Sequence, residues 1–182
     1  MKATGIVRRV DELGRLVIPK EIRRTMRLAE GTPLEIFTDR EGQIILKKYS
    51  PMMELGSFAK QYAESVAQTM NQKVAVSDRD QIIAVAGGGK RELLGKTISR
   101  QLEEMIINRE NSIQAGLDKK TIPLISGDED SYSAQAIYPI CCEGDCIGAV
   151  ILYSRENQIH FSETEYKAAA CAASFLGKQM EG

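Results

Sequence analysis

The chain has 182 residues, 43% of them hydrophobic and 27% charged, with a formal net charge of −1. That is long enough for one domain of ordinary size plus a small one, and too apolar for an intrinsically disordered chain. The longest uncharged apolar run, Cys146 to Ser154, is far short of the roughly 20 residues of a membrane span, and the N-terminus has no signal-like apolar stretch, so a cytoplasmic protein with no membrane partner is expected.

The small net charge conceals a split. Residues 1–50 carry eleven Lys and Arg against seven Asp and Glu, a net of +4, whereas residues 51–182 carry thirteen against eighteen, a net of −5. A positive excess confined to a small module is the footprint of a phosphate-binding unit.

In chain order, Ile6 to Val10 is predicted as a strand and Asp11-Glu12-Leu13-Gly14 as a turn whose glycine takes positive φ freely. Arg15 to Ile18 follows as a second short strand. Pro19 suits the first turn of a helix, where its missing N–H has no partner to lose, so a helix is predicted over Lys20 to Arg27, ended by Gly31 to Pro33. At about 100° per residue, Ile22 and Met26 share one side of it, while Lys20, Arg23, Arg24 and Arg27 share an arc on the other. Such a charge run is ordinarily a solvated face; Arg8, Arg9 and Arg15 nearby point instead to phosphate. Leu34 to Thr38 and Gln43 to Lys48 read as a hairpin across Asp39-Arg40-Glu41-Gly42.

Fifty residues with no cysteine or metal cluster bury too little surface to stand alone. Symmetric pairing of two chains is therefore expected, burying Ile6, Val7, Leu16, Ile18, Leu34, Ile36 and Ile44 and doubling the arginine set. No aromatic residue is interleaved among those arginines, which favours double-stranded DNA over stacked single strands, with preference resting on DNA shape.

The runs TGIVRRVDELGRLVIPKEIRR and LEIFTDREGQIILKKY resemble the AbrB-type swapped-hairpin domain of bacterial transition-state regulators over nearly all of residues 3 to 50. The resemblance implies two chains interleaving their hairpins into a barrel-like dimer that binds DNA. It places Arg8, Arg15, Arg23 and Arg24 at the family's motif arginines, and Arg9 where relatives carry another basic residue. Antitoxins of toxin and antitoxin pairs share this fold, so an antitoxin with a partner-binding C-terminal domain is the alternative function.

Beyond the break at Ser50-Pro51, a helix is predicted over Met52 to Met70, its stripe formed by Leu55, Phe58, Ala59, Tyr62, Val66 and Met70. Gln72 to Ser77 and Ile82 to Ala86 read as strands around Asp78-Arg79-Asp80. Ile98, Leu102, Met105 and Ile106 sit at helical spacing, Ser112 to Ala115 reads as a strand, and Lys119 to Ser131 is polar and irregular. Ser133 to Cys142 and Cys146 to Ser154 flank the compact loop Glu143-Gly144-Asp145, and the apolar run Ile147 to Leu152 predicts a central strand of an antiparallel sheet. The last helix is announced by a capping box of Ser162 and Glu165 and a staple of Phe161 and Tyr166. Its stripe of Tyr166, Ala169, Ala170, Ala173, Leu176 and Met180 suits packing on the domain's first helix, on another subunit, or both.

This order of elements resembles a GAF domain over residues 53 to 180, without carrying over a ligand or ligand-binding residue. The expected fold class is thus α+β: an AbrB-type DNA-binding domain at 1–50, paired as a swapped-hairpin β-barrel, joined to a GAF-like sensor or oligomerisation domain at 53–182. The combination resembles a family of transcription regulators of endospore-forming bacteria. It implies activation and repression in the forespore, a homotetramer built from dimers, and a possible small-molecule effector of unknown identity.

Other site candidates are weaker. Gly87-Gly88-Gly89-Lys90 misses the phosphate-loop pattern, which needs glycine at Ala84 and Ser or Thr at Arg91; a flexible turn is expected, with a weak anion site at the following helix start as the alternative. Cys141, Cys142, Cys146 and Cys171 read as free thiols. C-C-x-x-x-C is a poor zinc spacing, the lone histidine is His160, and no metal site is expected. Some GAF-fold enzymes reduce methionine sulfoxide through cysteines, and Cys142 and Cys146 can meet across their hairpin, but no histidine lies nearby in sequence to activate them. No catalytic residue, cofactor or enzymatic activity is expected. A ligand pocket, if formed, belongs between the sheet and the segment Ile98 to Gln135; side chains filling that space are the alternative.

Overall fold

The computed structural model describes residues 5–49, 56–115, 121–128, 132–156 and 159–181. The chain divides into two compact units, residues 1–49 and 50–182.

The first unit contains α1 (Lys20–Thr25) and an antiparallel hairpin of β1 (Leu34–Thr38) and β2 (Ile44–Lys48), with Leu34 opposite Lys48 and Thr38 opposite Ile44. The predicted strands Ile6 to Val10 and Arg15 to Ile18 join no ladder within the chain. A strand is formed only where a ladder pairs it, and among the described residues no ladder runs along either segment. The turn between them forms as expected, with Gly14 at φ 74°.

The helix is shorter than its periodicity predicted. It stops at Thr25, with Met26 as C-cap, because the Leu28 N–H donates to the Arg23 carbonyl at 2.7 Å and the Arg27 N–H to the Arg24 carbonyl at 3.2 Å. These two bonds are the Schellman arrangement that closes a helix on a left-handed residue. That residue is Arg27, at φ 50°, so Arg27 leaves the cationic arc assigned to it.

The second unit is a five-stranded antiparallel sheet between two helical layers. Its elements are α2 (Gly56–Met70), β3 (Lys73–Asp78), β4 (Ile82–Ala86), α3 (Lys90–Leu93), α4 (Arg100–Ile107), β5 (Ser112–Ala115), β6 (Ala134–Cys142), β7 (Asp145–Ser154) and α5 (Glu163–Gln179). Strand order is β4-β3-β7-β6-β5, which puts β7 at the centre, as its apolar run predicted. The start of the first predicted helix, residues 52–55, and parts of the irregular segment Lys119 to Ser131 lie outside the described residues.

Strand alternation sorts the core into two clusters. Val74, Val76, Ala136, Ile140, Val150 and Leu152 face Ala59, Ala63 and Ala67 of α2 and Ala169, Ala173 and Leu176 of α5. The alternate residues Ala75, Ile137, Ala149 and Ile151 face Leu93, Ile98, Leu102, Ile106 and Leu124. The side of the sheet expected to hold a ligand is therefore the seat of a second apolar core. Gln135, fully buried, ties the covering segment down: its Nε2 donates to the Ile122 carbonyl at 2.6 Å and its Oε1 accepts the Ile122 N–H at 2.9 Å.

α5 carries the predicted capping box, with Ser162 Oγ accepting the Thr164 N–H at 3.2 Å and Glu165 accepting the Ser162 N–H at 2.7 Å. It packs on α2 through Tyr62 and Phe175, whose rings stack 5.0 Å apart, the same-domain packing anticipated for it.

Two cysteine expectations are corrected. Strand register sets Cys141 opposite Cys146 and Cys142 opposite Asp145, so the residue meeting Cys146 across the hairpin is Cys141, and these two are joined in a disulfide. Cys142 is a half-buried free thiol, held above its ordinary pKa by burial and then by the carboxylates of Glu143 and Glu181. Cys171 is free and exposed.

Candidate nucleic-acid interface

The first unit is built almost without an interior. Among its described residues only Pro19 is buried, and Val7, Leu13, Val17 and Ile44 are each more than 70% exposed. Its apolar side chains gather around an open recess of about 340 Å³, lined by Ile6, Leu16, Ile22, Met26 and Leu46 among others. Ile22 and Met26 of α1 thus face inward, as their spacing predicted. Arg8 lines the same recess, which sets it beside the apolar side of α1.

All five arginines of the predicted set are exposed. Arg23 and Arg24 occupy the last turn of α1, adjacent in sequence, and neither lines the recess. Arg8 Nη1 donates to the neighbouring Val7 carbonyl at 3.0 Å. Arg9 lies on the extended segment leading into the turn, and Arg15 emerges at its end with its side chain 69% exposed.

Arg15 has a partner that motif reading missed. Asp11 Oδ2 accepts the Arg15 Nε–H at 2.8 Å, while Asp11 Oδ1 accepts the backbone N–H groups of Leu13 at 2.9 Å and Arg15 at 2.8 Å. The Arg15 amide, then its guanidinium, and then the Leu13 amide hold the Asp11 carboxyl below its ordinary range. The sequence signals the turn, since D-E-L-G-R at 11–15 recurs as D-R-E-G-Q at 39–43, but not the guanidinium bond, because the repeat carries Gln43 where Arg15 stands.

The glycine run of the second unit is used for packing. Gly87, Gly88 and Gly89 all have positive φ. A Cβ on Gly87 would lie 2.5 Å from the Gln72 carbonyl oxygen, and one on Gly89 would lie 2.5 Å from the Tyr153 hydroxyl, which itself donates to the Gly88 carbonyl at 3.1 Å. Burial, offset by Arg155 and aided by Glu92, pushes that phenol up to about 12. The helix after the run is a single turn, Lys90–Leu93, too short to gather an anion-binding set of amides.

Comparison with known proteins places both units. Residues 54–181 match the family described as "Stage V sporulation protein T C-terminal, transcription factor". Along its length the chain is 49% identical to Stage V sporulation protein T of Bacillus subtilis (strain 168) over 181 residues, covering 100% of this chain and 99% of the relative. The chain belongs to the Stage V sporulation protein T family. Membership makes it a DNA-binding transcription regulator of sporulation. Its N-terminal unit is 66% identical over 53 residues to the transition state regulatory protein AbrB of the same organism, covering 29% of this chain and 54% of AbrB. Residues 7–53 also match "Antidote-toxin recognition MazE, bacterial antitoxin", the fold-sharing that the sequence foretold. The whole-length relative, however, is a sporulation protein. The GAF domain of an Acinetobacter phosphoenolpyruvate-protein phosphotransferase is 13% identical, covers 74% of this chain and 84% of its own, and has a TM-score of 0.57. At that identity it establishes the GAF fold of the second unit, within an α+β chain.

Proposed function

We propose that the regulator grips duplex DNA with a head made from two copies of residues 1–50, using Arg8, Arg9, Arg15, Arg23 and Arg24 of each. The observation that carries this reading is the near absence of buried side chains in the first unit. With Pro19 alone buried among its described residues, the unit is half of a hydrophobic core, and a second copy supplies the missing half. The extended segments 6–10 and 15–18 gain ladder partners in the same step. Pairing also doubles the arginines, whose planar guanidinium groups grip phosphate bidentately and reach base edges.

The body at residues 53–182 assembles two such heads into a homotetramer, acting as an oligomerisation unit or as a sensor of a small molecule. The apolar core of Leu93, Ile98, Leu102, Ile106 and Leu124 on the side of the sheet where a ligand was expected favours assembly. The protein works in the cytoplasm of the forespore, activating or repressing according to where it sits on a promoter, without catalysing a reaction and without a cofactor. Opposed net charges on the two halves, +4 and −5, fit a body that stays off the DNA its heads hold.

Binding of the full chain to a labelled duplex across a salt series tests the head. With about six to ten phosphates engaged per head, affinity falls by about 10³ to 10⁵ between about 50 and 200 mM salt. A flat response removes the arginine reading.

A further inference from the structure

Among the described residues, Arg15 differs from the other four arginines in having its guanidinium held by a carboxylate. The five-residue turn from Asp11 to Arg15 is closed by backbone bonds, Asp11 N–H to the Arg15 carbonyl at 3.0 Å and Gly14 N–H to the Asp11 carbonyl at 3.0 Å. Asp11 Oδ1 reinforces it by accepting the Leu13 and Arg15 amides. All of this recurs in the turn from Asp39 to Gln43. There the Asp39 N–H donates to the Gln43 carbonyl at 3.2 Å and the Gly42 N–H to the Asp39 carbonyl at 3.3 Å, while Asp39 Oδ1 accepts the Glu41 and Gln43 amides at 2.9 Å each.

The second turn shows what closure requires. It carries Gln43 in the fifth place, whose side-chain amide donates to Glu41 at 2.8 Å, and it closes in the same way. One carboxylate oxygen therefore makes the turn. The bond from Arg15 Nε to Asp11 Oδ2 is an addition peculiar to the first turn. It engages the guanidinium donor nearest the chain, and the four N–H groups on the two terminal nitrogens lie beyond it, on a side chain 69% exposed.

We propose that Asp11 is a positioning residue that sets the specificity of DNA recognition: it holds the Arg15 guanidinium in one orientation and offsets its charge, restraining it from gripping any phosphate within reach. This rests on Arg15 touching DNA. A free arginine on a flexible stem is a good phosphate ligand on every sequence, and phosphate contacts carry no sequence information. A guanidinium held at Nε presents its fork in a fixed direction, which is what reading a base edge or a narrow groove requires. The carboxylate also repels the DNA backbone, so the pair contributes little general attraction and a directed local one.

The test uses the full chain with two duplexes, one selected from a random pool by the wild-type protein and one of scrambled sequence. Dissociation constants are measured across a salt series for wild type, Asp11→Asn, Arg15→Ala, the double variant, and Asp39→Asn as the same charge change at the sister turn. Asp11→Asn keeps an oxygen for the Leu13 and Arg15 amides and loses the charge; if it fails to fold, Asp11→Ser is read in its place. The expected result is a scrambled-duplex affinity several-fold tighter and a ratio of selected to scrambled affinity about tenfold lower. The salt slope steepens by up to about two, one phosphate for each Arg15 of a paired head. The melting temperature stays near wild type, Asp39→Asn keeps the wild-type ratio, and the effect of Asp11→Asn vanishes in the Arg15→Ala background.

An unchanged ratio and slope for Asp11→Asn, while Arg15→Ala weakens binding, overturns the proposal and leaves Asp11 as a turn former. An equal fall in the ratio for Asp39→Asn, or an effect that survives in the double variant, also overturns it, since bulk charge then suffices. If Arg15→Ala binds both duplexes as wild type does, the assignment of Arg15 to the interface is what fails.

Discussion

Arg27 holds a left-handed conformation that usually falls to glycine, because it stands one residue beyond the C-cap of α1 in a Schellman closure. The strain of φ 50° costs a residue with a Cβ roughly 1–2 kcal/mol, whereas the extra freedom glycine loses on folding costs roughly 0.5–1 kcal/mol. The first figure is larger. On backbone terms alone Arg27→Gly favours the head by up to about 1 kcal/mol in denaturant unfolding, set against the interaction the Arg27 side chain makes, and a net loss would show that this interaction holds more than the strain costs. A second residue-scale device is the Ser162 and Glu165 capping box. Burial acts against the Glu165 carboxylate, but the Ser162 N–H and hydroxyl prevail and hold its pKa below the ordinary 4.5. A carboxyl whose pKa is lowered by folding stabilises the fold fully above its unfolded value, and the benefit goes as pH falls through the folded one. Compared with wild type, Glu165→Gln should be less stable by a constant margin above about pH 5, and the margin should close below about 4.5. A margin that ignored pH would mean that the carboxylate charge contributes nothing to the cap.

At the scale of elements, the layer of α2 and α5 on the sheet depends on small side chains. Ala59, Ala63, Ala67, Ala169, Ala172 and Ala173 are all buried, and a Cβ on Gly177 of α5 would run into the Cys141 carbonyl oxygen of β6. In an exposed helix, glycine to alanine gains roughly 1 kcal/mol. Here the added methyl meets backbone that cannot move aside, and overpacking of a tight core costs roughly 1–3 kcal/mol. Gly177→Ala is expected to lower the thermal midpoint of the body, and a rise would show that α5 can shift off β6 at little cost. Elements announced by local chemistry were legible in the sequence: the turn at Gly14, the hairpin of β1 and β2, the central position of β7 and the capping box of α5. What was missed depended on register or on a partner. Cys141 rather than Cys142 meets Cys146 because strand pairing decides which residues are opposite, and composition cannot supply that. The segments 6–10 and 15–18 have strand-like sequences, yet no ladder runs along them among the described residues. Likewise the arginines were visible as a set, but the bond from Asp11 to Arg15 became visible only when the turn's two carboxylate oxygens could be told apart.

At the scale of the molecule, the two units differ in what they can do alone. The body has two apolar cores and a five-stranded sheet, whereas the head has one buried residue among those described and a recess open to solvent. If the head pairs two chains as proposed, DNA binding is a consequence of that pairing, and changes in assembly of the body reach the heads as well. Arg23 and Arg24 should then matter in pairs: Arg23→Ala reduces the salt slope of duplex binding by about two, because each chain of a head then neutralises one phosphate fewer. A reduction of about one would mean that only one chain's arginine reaches the backbone. The central claim is that the head is a two-chain unit, and native mass spectrometry of the full chain bound to a single short duplex tests it most directly. A two-chain head gives complexes with an even number of chains per assembly at every dilution that retains DNA binding; a complex of one chain on one duplex would contradict it.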